Sequence, residues 1–75
     1  MRRPVPIEAL IMDLIREKND IWFNDLIQAL RAWYPDITEK EVLMALMKLE
    51  LSRLIITQKI VRKDGVTYHI RVVKD

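Results

Sequence analysis

The sequence predicts an α+β fold: three amphipathic helices, a short strand after the first of them, and a two-stranded β-hairpin at the C-terminus. Three observations predict it. Apolar residues recur at three- and four-residue spacing over residues 7–18, 24–33 and 38–52, the period of a helix with one buried face. Residues 54–63 and 66–74 are instead rich in Ile, Val and Thr, the side chains that suit a pleated ribbon. Between those two runs stands Asp64-Gly65, holding the only glycine of the chain.

The first helix is expected over residues 7–18. Pro6 suits its first turn, where no amide hydrogen is needed. Ile7, Leu10, Ile11, Leu14 and Ile15 share one side, with Glu8, Asp13, Arg16 and Glu17 on the other. Asn19-Asp20 reads as its end. Ile21-Trp22-Phe23 is a β-prone run of three. Trp22 and Phe23 are read as core, because a domain this small needs its large aromatics inside; stacking on a base is the alternative use of such rings. Asn24 is expected to cap the second helix, residues 24–33, which buries Leu26, Ile27 and Leu30. Trp33 and Tyr34 close it and are expected to be half-buried. Pro35 breaks the helix by disfavouring the helical backbone at Tyr34, and Ile37 is expected to plug the core from the turn.

Thr38-Glu39-Lys40-Glu41 has the form of a capping box, in which the Thr38 hydroxyl and the Glu41 carboxylate each take an amide of the other residue. It opens the third helix, residues 38–52. At 100° per residue, Val42, Ala45, Leu46 and Leu49 point inward, and Lys40, Met44, Met47, Lys48 and Leu51 point away. A rotation of that face by one position would make Met47 core instead.

The hairpin, residues 54–74, is expected to turn on Asp64-Gly65, since a two-residue turn of the favoured type needs positive φ at both positions. That register sets Val61 against Tyr68, Lys59 against Ile70, Thr57 against Val72 and Ile55 against Lys74, all on the side facing the helices. Gln58, Arg62, His69 and Arg71 fall on the side facing water or a ligand.

Composition narrows the function. With 75 residues, 51% hydrophobic and no cysteine, the chain is one small packed domain, with no disulfide framework and no cysteine-built zinc site. His69 is the lone histidine, so no site of spaced histidine ligands is expected. One glycine excludes a Gly-rich phosphate loop. Ser52, the only serine, has no histidine near it in sequence or across the ribbon. No catalytic residue, metal or cofactor is therefore expected, and no small-molecule ligand is evident. No apolar run reaches a membrane span, and the N-terminus leads into an amphipathic segment rather than a signal peptide, so a cytoplasmic protein is expected.

The net charge of +2 is unevenly spread. Residues 54–75 carry net +3, residues 19–53 net −2 and residues 1–18 net +1. A polyanion would find its footing on the hairpin and the extreme N-terminus.

Helix, short strand, helix, turn, helix and hairpin is the order of the winged-helix domain, and the resemblance covers essentially the whole chain. Ala45-Leu46, Leu49-Glu50 and Leu54-Ile55 are similar to the packing signature that carries that family's third helix into its wing. The chain looks most like the small archaeal winged-helix regulators, and its abundance of Ile, Glu, Lys and Arg suits a thermophile. It departs from them at Ser52-Arg53, where the family often has Gly before the Leu-Ile.

The resemblance implies a transcription regulator that binds double-stranded DNA, nucleoid-associated within the cytoplasm, with the third helix in the major groove and the wing on the backbone. Carried onto this chain, it implies base-edge readers on the outward face of residues 38–52, where Lys40 and Lys48 stand, and phosphate contacts from Lys59, Arg62, Lys63 and Arg71 on the wing, with Arg2 and Arg3 as a basic arm. The outward helix face has no Arg, Asn or Gln, the side chains that pair bidentately with guanine or adenine, so it reads bases poorly. Met44, Met47 and Leu51 form a second apolar stripe there, which marks a protein contact, either a homodimer or a subunit of a larger complex, as the alternative function.

Overall fold

The computed structural model describes residues 6–73. Arg2, Arg3 and Lys74 lie outside the described residues, so the expected basic arm and the Ile55–Lys74 pair do too. The elements follow in the order α1 (Ile7–Lys18), β1 (Asp20–Trp22), α2 (Phe23–Arg31), α3 (Glu39–Leu51), β2 (Ile55–Arg62) and β3 (Gly65–Val72). This is the expected α+β fold of three helices, a short strand and a C-terminal hairpin. The short strand also joins the hairpin, making a three-stranded antiparallel sheet of order β1-β3-β2.

One apolar cluster joins the layers. Ile11 and Ile15 from α1, Leu26 and Leu30 from α2, Val42 and Leu46 from α3, and Ile55 and Ile70 from the sheet are all at most 2% exposed. The inward faces of α2 and α3 are thus the expected ones; in α1 the expected Leu10, Ile11 and Ile15 are buried, Met12 joins them, and Ile7 and Leu14 are only partly covered. Ile37 enters the cluster from the turn, as expected, and Tyr34 is fully inside rather than half-buried. Trp33 is exposed rather than half-buried, while Tyr34, the next residue, takes the inward place.

Two local expectations are corrected. The first concerns Trp22. Successive strand residues point to opposite faces, and β1 runs exposed, buried, exposed. Ile21 takes the inward place opposite Ile70, so Trp22 is turned outward opposite His69. Phe23 leaves the strand, starts α2 and packs edge-on against Tyr68, ring centroids 5.5 Å apart. Trp22 is therefore the N-cap of α2, without a side-chain cap, and Asn24 lies inside the first turn.

The second concerns the hairpin register. The two-residue turn is Lys63-Asp64, and Gly65 opens β3 opposite Arg62. Gly65 alone there has positive φ, at 142°; Asp64 keeps an ordinary backbone, so the turn that needs both does not form. Val61 faces Val66, Lys59 faces Tyr68, Thr57 faces Ile70 and Ile55 faces Val72. The slip is two residues, which keeps every side chain on its expected face. It gives Ile55 an apolar partner where a lysine was expected. Val61, expected to pack on the helices, sits past their reach near the tip and is exposed.

The capping box of α3 has both halves: Glu41 N donates to Thr38 Oγ1 at 3.2 Å, and Thr38 N donates to Glu41 Oε1 at 3.2 Å. At the other end, Arg53 N donates to Glu50 O at 2.9 Å and Leu54 N to Leu49 O at 3.0 Å. These two bonds make a Schellman motif, with Arg53 at φ 62° in the left-handed place that favours glycine. The motif sends the chain from α3 directly into β2.

Candidate nucleic-acid interface

The basic residues singled out from the sequence fall on two different faces. Lys40 and Lys48 lie on the solvent side of α3, exposed, as the helical spacing requires. Lys59 is on the helix-facing side of β2, opposite Tyr68, and lines a groove with Leu43, Leu46, Met47 and Glu50. That groove, of about 300 Å³, separates α3 from the hairpin. Lys63 is exposed in the turn. Lys40, Lys48, Lys59 and Lys63 thus accompany α3 and the hairpin, and none pairs with a carboxylate of a described residue.

Arg62 and Arg71 belong elsewhere. Strand alternation puts them on the outer side of the sheet, turned away from the helices. Arg62 does not extend from the tip: its guanidinium carbon stands 5.1 Å from the centre of the Trp22 ring. Arg71 is opposite Asp20 on one side and Ile56 on the other. The single basic surface implied by the resemblance is therefore divided, with Lys40 and Lys48 on α3, Lys59 on the helix-facing side of β2, Lys63 in the turn, and Arg62 and Arg71 behind the sheet.

Met44, Met47 and Leu51 are 53%, 61% and 82% exposed. Met47 is not core; the face is not rotated, because Ala45, Leu46 and Leu49 fill the inward side. Exposed Val61 and Val66 face each other on the helix-facing side of the hairpin, farther toward the tip than Lys59. The groove is lined by Leu43, Leu46, Met47 and Tyr68 together with the polar Glu50, Thr57 and Lys59.

Inside the groove, Thr57 N donates to Glu50 Oε2 at 3.4 Å. Odd-numbered residues of β2 turn their backbone groups toward the free edge, so Glu50 covers one amide that would otherwise invite another strand. Thr57 Oγ1 is buried without a hydrogen-bond partner among the described residues.

Sequence reasoning missed the aromatic cluster on the outer face. His69 Nε2 is 3.2 Å from Asp20 Oδ2, and the His69 ring centre is 4.7 Å from that of Trp22. The signal was present in the alternation of Asp20-Ile21-Trp22: once Ile21 is buried, Asp20 and Trp22 must emerge together. What the sequence does not state is that β1 pairs with β3, which brings His69 beside them.

Among the described residues, no group of three His, Cys, Asp or Glu is placed to hold a metal ion, and no helix is long and apolar enough to cross a membrane. Set against protein-family models, curated proteins and solved structures, the chain matches none of them.

Proposed function

We propose that this chain is a winged-helix DNA-binding protein, a transcription regulator that holds duplex DNA through its phosphates. The observation that carries the reading is the set of exposed lysines on α3 and the hairpin, Lys40, Lys48, Lys59 and Lys63, left without carboxylate partners among the described residues. An unpaired lysine gives up no ion pair when it meets a phosphate, and each contact releases counterions. The order of elements and the sheet order β1-β3-β2 support the winged-helix layout, with α3 leading straight into the hairpin.

The chemistry of the α3 face sets what such binding would be like. Its lysines follow phosphates as point charges, and it has no forked donor or amide to read a base edge. Binding is therefore weakly selective for sequence and strongly dependent on salt. Four phosphate contacts give a log–log slope of affinity against salt of about −3.6 on B-form DNA. Fluorescence anisotropy of a labelled duplex between low and physiological salt measures that slope. Absence of binding at the lowest salt would sink the proposal.

A second reading is favoured by a specific observation. Met44, Met47 and Leu51 make a contiguous exposed apolar stripe along α3, of the kind that seats a second copy of the chain or another subunit. The two readings are compatible when the stripe joins two copies and the lysines at its margin meet DNA.

A further inference from the structure

The outer face of the sheet gathers groups for which the duplex reading has no use. Trp22 projects from β1 and is 38% exposed. Arg62 reaches over it from β2, 5.1 Å from the ring centre, and His69 of β3 lies against it at 4.7 Å, tilted by 38°. Arg71 follows on β3, two residues beyond His69 on the same face. Past it opens a groove of about 510 Å³ whose walls include Lys18, Ile56 and Val73. Along this face the order is cation, aromatic pair, cation.

We infer that this face binds single-stranded nucleic acid, with one base stacked on Trp22 and the flanking phosphates held by Arg62, Arg71 and Lys18. Two features of the face select this ligand. Arg62, Arg71 and Lys18 outnumber Asp20, the acid that accompanies them, whose Oδ2 stands 3.2 Å from His69 Nε2. That is charge complementarity to a polyanion. The indole adds what a polyanion alone does not need: a π surface for a base whose own faces are free. Duplex bases are stacked on one another and cannot reach it, whereas a single strand can splay a base onto an aromatic side chain. Arg62 covers the ring where the base would lie. An incoming base displaces the guanidinium to the adjacent phosphate, so its cation–π contact is exchanged for stacking and an ion pair. An acidic peptide would satisfy the arginines and leave the indole unused.

The test uses the full chain with Trp33→Phe, which makes Trp22 the only indole; Trp33 is exposed and outside the core. Two strands of equal length and charge are titrated at low salt: an oligothymidylate, and an abasic deoxyribose-phosphate strand. The expected result is quenching of Trp22 emission by the oligothymidylate, with about 5- to 150-fold weaker binding of the abasic strand. In the Trp33-containing chain, Trp22→Ala should remove the same factor for oligothymidylate and leave duplex affinity unchanged, with circular dichroism checking that the chain is folded. Equal affinity for the two strands, or no binding of oligothymidylate, overturns the inference, and neither result depends on the Trp22 variant. Displacement of oligothymidylate by a poly-glutamate peptide of equal charge at equal concentration also overturns it, and assigns the face to acidic peptides. Duplex binding is read separately, so either proposal can fail while the other stands.

Discussion

Arg53 holds a backbone conformation that costs an L-residue about 1–2 kcal/mol relative to the ordinary helical region. Its φ is 62°, and the two hydrogen bonds that close α3 fix it there. Its side chain is exposed. Glycine at this place removes the strain but adds freedom to the unfolded chain, which returns about 0.5–1 kcal/mol. Arg53→Gly should therefore stabilise the protein by about 0.5–1 kcal/mol, raising Tm by about 3–6 °C in a thermal melt. A lower Tm would mean that the arginine side chain contributes more than the strain it carries. The departure from the winged-helix pattern at Ser52-Arg53 was legible in the sequence. Its consequence was not: the exit keeps the glycine-type geometry and bears the strain, so the chain still enters β2 directly from α3.

At the scale of elements, the helices were legible and the sheet only partly so. A helix is set by contacts three and four residues apart, and these are written in the local pattern: α1 has the expected bounds, and the capping box opens α3 where the sequence places it. Register and pairing depend on residues far apart. A two-residue slip moves no side chain to the other face, so the hydrophobic pattern is blind to it; the choice is made by Gly65 taking the positive φ and by Ile55 meeting Val72. The docking of β1 onto β3 is likewise invisible locally, and with it the position of Trp22. The outward stripe of α3 was correctly read because it is a helical feature. Its behaviour is testable at this scale: Met44→Asp places a charge in the middle of the apolar surface. If that surface joins two copies, light scattering across protein concentrations should show a dimer that Met44→Asp weakens by tenfold or more, about 1.4 kcal/mol. A mass that does not change with concentration in the unchanged protein would remove the homodimer.

At the scale of the molecule, the apolar cluster fixes the body, and the charges are sorted around it. Lys40 and Lys48 stand on α3, and Lys59 and Lys63 on the hairpin; Arg62 and Arg71 stand behind the sheet, Arg62 over the Trp22 ring. That these cations are exposed was therefore legible, and which of them share a face was not. Sequence reasoning gave their chemistry, while the pleat of the sheet decided which of them act together. The division makes a duplex footprint the most direct test of the proposed function. In a titration of isotopically labelled protein with a short duplex, followed by backbone amide chemical shifts, the changes should concentrate on α3 and on Lys59 to Lys63 at the hairpin end. The amides of Asp20, Trp22, His69 and Arg71 should stay in place. Shifts confined to those four residues, or a spectrum unmoved by saturating duplex at low salt, would contradict the account.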